Sequence, residues 1–198
     1  MLSHHQPIVP RDSCYFLTFN VVDRVDVFVH PAYKQVVVNA LNHFVDTQGL
    51  IVYAWCLMTS HVHLLIKTRE GNGPAYFERD FKRFTTPEIV KAIENERDPR
   101  REWMIRQFEN FGKSLKKIER FHLWENCSSP LHIDCGQPQL LFDRIGHIHE
   151  NPIRERIVDL PENYLFSSAR DYSGMKGLVK VKPVQQDGIS KFNLLSRN

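Results

Sequence analysis

The feature that most restricts the fold of this chain is an almost wholly apolar run at residues 50–57, with the sequence LIVYAWCL. A short continuous apolar run is typical of a strand that is covered on both faces, so this run predicts a central strand of a sheet. A second strand is predicted at residues 61–66 (HVHLLI), after a short turn around Thr59 and Ser60. The chain is therefore predicted to fold around a β-sheet.

Further elements are predicted on either side of this strand pair. Residues 15–22 (YFLTFNVV) are rich in β-branched and aromatic residues and predict a first strand. Pro31 opens a helix whose apolar residues share one face, and Gly49 is placed to end it. The other predicted elements are basic helices near residues 75–95 and 99–112, a strand at 121–124 and a helix from 137 to about 150. Pro152 is expected to limit the last helix, because the residue before a proline disfavours the helical conformation.

The order strand, helix, strand, strand predicts an α+β fold, with an antiparallel sheet and helices on one face. We expect an N-terminal extension at residues 1–13, one domain at 14–152, and a C-terminal tail at 153–198 packed on that domain. The chain contains no apolar run of membrane-spanning length and no secretory signal, so a cytoplasmic protein is predicted. Four cysteines without a CxxC pair favour free thiols, with Cys14 and Cys56 buried in strands.

His61 and His63 form the strongest chemical constellation in the sequence. Side chains two residues apart on a strand point to the same face, so both imidazoles can reach one cation while Val62 faces away. Paired imidazoles suit a divalent transition metal, and an added oxygen ligand broadens the choice to Mn²⁺ or Mg²⁺. An HxH pattern is short, and two surface histidines on a strand are the alternative interpretation.

His147 and Asn151 form a second candidate pair in the last predicted helix. Residues four apart lie above one another on a helix, so the two side chains share a face if the helix continues that far. His147 offers a nitrogen and Asn151 an amide oxygen to a metal. In the alternative interpretation, Asn151 caps the helix before Pro152 and His147 is merely half-exposed.

A third group of metal-binding residue types lies between the two pairs. Its members are His122, Cys127, His132 and Cys135. Their spacing lacks the close cysteine pairs of structural zinc sites, so an incidental distribution is the preferred interpretation.

Basic residues cluster in and around the two basic helices. The net charge of +3 is too small by itself to indicate a polyanionic partner, but aromatic residues are interleaved with the basic ones. This mixture suits phosphate contacts and base stacking, whereas solvated helix faces are the alternative. The residues predicted to contact DNA are Arg79, Lys82, Arg83, Arg100, Arg101, Lys113, Lys116 and Lys117.

Several blocks of the chain resemble the HUH single-strand DNA transposases. Residues 58–66 (MTSHVHLLI) resemble the NHVHLL strand of that family. Residues 147–174 (HIHENPIRERIVDLPENYLFSSARDYSG) are similar to the YIHxNPVxxGxVxxPExYxxSSxxDY block of its REP-associated tyrosine transposase (IS200-like) branch. The intervening blocks FKRFTTPEI and FHLWENCSSPLHI are also similar to that branch. The resemblance runs in matching order from about residue 15 to residue 180, which is nearly the whole chain.

This resemblance implies a ferredoxin-like or RRM-like sheet and a function in DNA transposition. Members of the family bind imperfect DNA hairpins, often as dimers, and nick and join single strands beside them. The two histidines hold Mg²⁺ or Mn²⁺ at the scissile phosphate, and a helix-borne tyrosine attacks that phosphate. A polar side chain one helical turn after the tyrosine completes the metal site. By this resemblance, the metal ligands of the present chain would be His61, His63 and Asn151.

His147 occupies the position of the nucleophilic tyrosine, which is where the chain departs from the family pattern. A histidine that attacked phosphorus would form a more labile phosphoramidate, and its reach is shorter. Two functions therefore remain open. One is a metal-dependent transposase in which His147, Tyr164 or Tyr172 is the nucleophile, and the other is a protein that recognises hairpin DNA and no longer cuts it.

Overall fold

The computed structural model describes residues 13–69, 73–114, 120–125, 130–134 and 138–184. No helix within these ranges is long and apolar enough to cross a membrane. In chain order, the elements are β1 (Ser13–Asn20), α1 (Pro31–Gln48), β2 (Ile51–Leu57), β3 (His61–Lys67), α2 (Pro74–Asn95), α3 (Arg101–Ser114), β4 (Leu131–Asp134), α4 (Pro138–Arg154) and the short α5 (Ala169–Tyr172).

The four strands form one sheet in the order β2-β3-β1-β4, and each neighbouring pair is antiparallel. The predicted α+β fold with a ferredoxin-like antiparallel sheet is therefore confirmed. The run at residues 50–57 is covered on both faces as predicted, but it forms an edge strand and not a central one. The strand predicted at residues 121–124 was also wrong: only Trp124 pairs, in a single bridge to Val21, because Leu123 and Trp124 are used for core packing.

One face of the sheet is covered by α1, α2 and α3. Alternate strand residues, such as Leu17, Phe19 and Leu64, point into this layer and are fully buried. Aromatic rings fill much of the space, with Phe81 4.7 Å from Phe19 and 5.8 Å from Trp124 between ring centroids. This side holds the main hydrophobic core.

The opposite face is covered by α4 and by the chain that follows it. Leu141, Ile145 and Ile148 of α4 pack on strand residues that include Cys56 and Leu65. The expectation that helices lie on one face of the sheet therefore holds for α1–α3 and is wrong for α4. The apolar strand residues point to both faces, and a second layer has to cover those that point away from α1–α3.

Helix α4 runs through Pro152 to Arg154, which corrects the expectation that Pro152 limits it. Proline removes one backbone N–H donor, but the carbonyls of Asn151 and Pro152 still accept bonds from Glu155 and Ile157, at 3.0 Å and 2.8 Å. The helix ends at Arg154, and two residues later Arg156 has a left-handed φ of 56°. Asn151 is thus inside the helix, one turn beyond His147, and does not cap it.

The outer edge of β2 is paired with the C-terminal segment. Val52 bridges Val181 in parallel fashion, and its carbonyl accepts a bond from the Lys182 N–H at 2.9 Å. At the other end of the strand, Cys56 bridges Ser167. The Ser168 hydroxyl accepts from the Trp55 N–H at 2.9 Å. Residues after α4 therefore take the place of a fifth strand along this edge.

The two cysteines in the described ranges differ. Cys56 is a buried free thiol as predicted, and burial raises its pKa to about 12. Cys14 is disulfide-bonded, which corrects the prediction of a free thiol. Sequence spacing detects only close cysteine pairs, whereas a bond between distant cysteines is decided by the fold.

Candidate metal and nucleic-acid site

The two histidines of β3 lie side by side on the α4 face of the sheet. Both are half-buried, and the residues that alternate with them, Val62 and Leu64, are fully buried in the opposite core. The ring centroids of His61 and His63 are 4.8 Å apart. The period of the strand therefore produces the convergent pair of imidazoles that the HxH pattern predicts.

A hydroxyl group contacts the same ring nitrogen of each histidine. Thr18 Oγ1 lies 2.8 Å from His63 Nδ1, and Ser60 Oγ lies 3.4 Å from His61 Nδ1. When a hydroxyl accepts the Nδ1 proton, the lone pair of the imidazole is on Nε2, which is the atom that can bind a metal. Phe16 stacks on the His63 ring, with 5.6 Å between centroids, and limits how far that ring can turn.

Both histidines are held in the neutral form. Burial, followed by the charge of Arg24, lowers the pKa of His61 to about 4. The pKa of His63 is lowered to about 3 by burial, then by His61, His147 and Arg24. Because only neutral imidazole binds a metal, no proton has to leave either ring at neutral pH.

Helix α4 brings His147 to the same place. Its ring centroid is 5.7 Å from that of His63 and 6.1 Å from that of Phe16. Asn151 is one helical turn further on, and its Nδ2 atom is buried without a hydrogen-bond partner in the described ranges. His147 of α4 therefore lies beside His63 of β3, and we call the space around these two rings the histidine cleft.

His147 is engaged by an arginine of its own helix. Arg154 Nη1 lies 3.1 Å from His147 Nδ1, and Arg154 Nη2 donates to Glu150 at 2.7 Å. Since a guanidinium only donates hydrogen bonds, Nδ1 must be the acceptor and the ring proton is on Nε2. In this arrangement His147 has no lone pair left for a metal or for phosphorus. Burial, followed by Arg154 and Arg144, lowers its pKa and keeps the ring neutral.

The residues around the histidines fit a divalent cation with mixed nitrogen and oxygen ligands. Buried polar atoms of Asn20 and Asn151 lack partners within the described part of the chain, and an amide can turn either its oxygen or its nitrogen towards a cation. In the same ranges no three His, Cys, Asp or Glu side chains form a group that could hold a metal. Asn151, which the family resemblance assigns as the third ligand, stays a prediction.

Three arginines act electrostatically on the histidines, and the carboxylates of Asp26 and Glu150 partly offset them. Arg24 acts on both β3 histidines, while Arg144 and Arg154 act on His147. The guanidinium of Arg144 lies 5.6 Å from the centre of the Phe16 ring. Cations close to half-buried histidines would attract a DNA phosphate.

The family assignment follows from comparison with known proteins. The sequence profile of the family "Transposase IS200 like" matches residues 12–111, which is half of the 198-residue chain. This chain belongs to the IS200-like transposase family. Membership supports a transposase-like DNA-binding role, and the family generally depends on divalent metal ions. Comparison with curated protein sequences gave no match.

Solved structures support the fold of this family member. A REP-associated tyrosine transposase bound to a REP hairpin is 15% identical, with a TM-score of 0.52 and 94% of each chain covered. A protein from Deinococcus radiodurans R1 assigned as a transposase is 18% identical, with a TM-score of 0.37, 72% of the present chain covered and 96% of its own. The first similarity shows a shared fold; the second is too low to support an argument.

The two C-terminal tyrosines considered as substitute nucleophiles are used in packing. The Tyr164 hydroxyl donates to the Leu57 carbonyl at 2.7 Å, and burial raises its pKa. The Tyr172 hydroxyl donates to the Tyr53 carbonyl at 3.0 Å and accepts from the Val184 N–H at 3.1 Å. Burial raises the pKa of Tyr172 to about 12. Both phenols therefore hold the C-terminal segment on β2, and neither is free to attack phosphate.

Six of the eight predicted DNA-contacting residues lie within the described ranges, on α2 and α3 or in the turn before α3, on the other side of the sheet from the histidine cleft. Arg79, Arg83, Arg101 and Lys113 are exposed there. Lys82 is bonded to Glu78 at 2.7 Å and to the Glu125 carbonyl at 2.8 Å. Arg100 is paired with Asp98 at 2.9 Å and donates to the Asp26 carbonyl at 2.8 Å. Lys116 and Lys117 lie outside the described residues. The DNA-contact set stays a prediction.

The third group of metal-binding residue types, for which an incidental distribution is the preferred interpretation, is only partly within the described residues. His122 follows α3, and His132 lies in β4, 5.7 Å from the Tyr15 ring between centroids. Cys127 and Cys135 lie outside the described residues.

Sequence reasoning missed several residues of the cleft. Thr18 contacts His63, and Asn20 pairs with His61 in the ladder, only because β1 pairs with β3 in one register, which no sequence pattern specifies. Arg144 and Arg154 are three residues before and seven residues after His147, so helical spacing was a signal that could have found them. His149, buried between α4 and the C-terminal segment, lies 2.8 Å from the Ser168 hydroxyl and was also missed.

Proposed function

We propose that this chain binds hairpin-forming DNA with Mg²⁺ or Mn²⁺ held by His61, His63 and Asn151, and does not nick DNA by the tyrosine route of its family. The observation that carries the proposal is the state of His147. It stands at the position of the family's nucleophile, next to His63, and its Nδ1 is occupied by Arg154.

DNA binding is supported by the family and by the charge of the cleft. The similar structure with a bound REP hairpin has the same fold, so hairpin DNA is the ligand we propose here. Arg24, Arg144 and Arg154 would contact phosphate oxygens. His61 and His63 are neutral, so neither ring has to lose a proton before it binds a metal.

A divalent cation at this site would neutralise a phosphate and polarise it. The chain's own residues prepare the position: Thr18 and Ser60 orient the two imidazoles, and Phe16 packs against one of them. His147 supplies no hydroxyl oxygen. For this reason the arrangement supports holding a DNA phosphate more than transferring it.

The competing function is a transposase in which His147 itself attacks the phosphate. That route requires a free lone pair on His147, so either Arg154 must release Nδ1 or the proton must leave Nε2. The attacking nitrogen must then align with the scissile bond, although the site is shaped for the longer side chain of tyrosine. Displacements of about 1 Å lower rates by about 100-fold, so this substitution is unfavourable for in-line attack.

A tyrosine restored at position 147 provides the test. Wild type, His147→Tyr and His147→Phe are mixed with a labelled single strand that carries a hairpin, in the presence of Mn²⁺. We expect nicking and an acid-stable covalent adduct only with His147→Tyr. The matched control His147→Phe has the same ring without the hydroxyl and should bind the hairpin without cutting it. Nicking by wild type that His147→Ala abolishes would contradict the proposal and make His147 the nucleophile.

We also propose that the chain binds DNA as a homodimer, as the resemblance implies, and that residues 14–152 form the DNA-binding domain with residues 153–198 as its packed tail. Sedimentation equilibrium with and without hairpin DNA tests the first point. A monomer in both conditions would contradict it.

A further inference from the structure

Asn20 is the last residue of β1, and strand register places it opposite His61. The pairing of β1 with β3 aligns Thr18 with His63 and Asn20 with His61. Residues two apart in an antiparallel ladder have the same pair geometry and point to the same face. Asn20 therefore points to the same face of the sheet as Thr18, which contacts His63 at 2.8 Å, and it stands opposite His61 in the ladder.

The oxygen of that side chain is unused. Asn20 Oδ1 is buried from solvent and has no hydrogen-bond partner among the residues that the structure describes. Most buried polar atoms have a partner, so an isolated acceptor indicates a missing donor or cation. His61, its partner in the ladder, does not provide that donor from Nδ1, because Nδ1 contacts the Ser60 hydroxyl at 3.4 Å.

The backbone around Asn20 is fixed on two sides. Its carbonyl accepts from the Glu125 N–H at 2.9 Å, and the following N–H, of Val21, donates to the Ser60 carbonyl at 2.8 Å. Val21 also bridges Trp124, whose ring is buried in the core. The strand end therefore cannot easily swing away from the histidines, and the orphaned oxygen stays at the cleft.

We propose that Asn20 Oδ1 is a ligand of the cation held by His61 and His63, in addition to Asn151. This inference rests on the metal site of the proposed function and extends it from three protein ligands to four. Two imidazole nitrogens with two amide oxygens form a harder donor set than histidines alone. Such a set favours Mn²⁺ or Mg²⁺ over metals that prefer sulfur or nitrogen.

The test is Mn²⁺ binding, followed by the electron paramagnetic resonance signal of the free ion and without any DNA. Asn20→Ala should weaken Mn²⁺ binding about 10-fold, at the lower end of what changes around a metal site produce. Asn20→Asp, which replaces the amide oxygen by a carboxylate, should bind Mn²⁺ more tightly than wild type. The matched control is Asn39→Ala, at an exposed position on α1 whose amide bonds Gln35. It should leave Mn²⁺ binding unchanged.

The outcomes separate this inference from the proposed function. If His61→Ala abolishes Mn²⁺ binding while both Asn20 variants bind as wild type does, Asn20 is not a ligand and the histidine site stands. If wild type does not bind Mn²⁺, the metal site itself is wrong and the role of Asn20 falls with it. Circular dichroism melting identifies a variant that fails to fold. If Asn20→Ala is lost in this way, Asn20→Asp decides: weaker or unchanged binding overturns the inference.

Discussion

The two faces of the sheet are built from the same strands and serve different purposes. Towards α1–α3, the alternate residues of β1, β2 and β3 are apolar, and the layer is filled by rings such as Phe19, Phe81 and Trp124. Towards α4, the apolar packing stops part-way along the strands. Beyond Phe16 and Leu65, the residues that point to this side are Thr18, Asn20, His61 and His63.

The residues that stabilise the fold and the residues of the candidate site are therefore different residues of the same strands. A half-buried polar site weakens the layer that contains it, because polar groups lose hydration and gain few contacts. Placing the site on the α4 face leaves the larger core intact. The same strands can therefore hold histidines at low pKa without losing their main packing.

The largest effect is expected from a truncation in the main core. Phe81 is fully buried and contacts Phe19, Phe77 and Trp124. Phe81→Ala should lower the free energy of unfolding by about 3–5 kcal/mol, measured by urea denaturation. Ile145→Ala, the corresponding truncation on the α4 face, should have a smaller effect of about 2 kcal/mol. An equal loss from both would contradict the contrast between the faces.

A smaller effect is expected from protonation on the α4 side. Burial lowers the pKa of His149 to about 4. The ordinary pKa of histidine is about 6.5, so below pH 6.5 the unfolded chain binds a proton at His149 that the folded chain does not bind. The free energy of unfolding therefore falls by about 1.4 kcal/mol for each pH unit below 6.5. His149→Gln should therefore flatten the decline in unfolding free energy between pH 6.5 and pH 5.

The matched control is His43→Gln, at an exposed position on α1. Its decline should equal that of wild type. His61 and His63 add slope of the same sign, so only the difference between wild type and the His149 variant isolates this residue. An unchanged slope in His149→Gln would mean that the buried ring takes up its proton without unfolding.

The smallest effect concerns which basic residues contact DNA. Arg83 and Arg101 are exposed, whereas Lys82 is bonded to Glu78 and to the Glu125 carbonyl. If α2 and α3 contact the hairpin, Arg83→Ala and Arg101→Ala should each reduce the salt dependence of binding by about 0.9 in log–log slope. Lys82→Ala should change it less. Fluorescence anisotropy at several salt concentrations measures these slopes.

The proposed phosphate contacts of Arg24 and Arg144 concern the histidine face, and a different pattern would confine the DNA to that face alone. Arg24→Ala and Arg144→Ala would then reduce the slope, while the α2 and α3 variants would not. Lys176→Ala, an exposed position in the C-terminal segment, serves as the control for a general loss of charge.

The elements that follow from local pattern were predicted well. The helix from Pro31 to the left-handed Gly49, the strand with the two histidines and the antiparallel α+β fold all follow from periodicity, turn residues and the family resemblance. The predictions that failed depend on information that is not local. Apolarity does not say whether a strand is central or at an edge, and residues 121–124 are apolar for packing rather than for pairing.

The site was predictable only in part, for the same reason. The pair His61 and His63 is visible as a strand motif, and His147 with Asn151 is visible as a helix motif, but their meeting depends on which face α4 covers. Asn20 could not be found without the register of β1. The spacing of seven residues allows Arg154 to contact His147, but the side-chain rotamers decide whether the contact forms.

The pairing of β2 with residues near Val181 and Ser167 has a consequence for biosynthesis. Until the ribosome has released those residues, the long apolar β2 has an open edge that can pair with another chain. Nascent or C-terminally truncated molecules should therefore be the forms that self-associate and require chaperones. These residues follow all four strands in the chain, so this edge closes after the rest of the sheet has been made and the yield of folded protein depends on residues outside those strands.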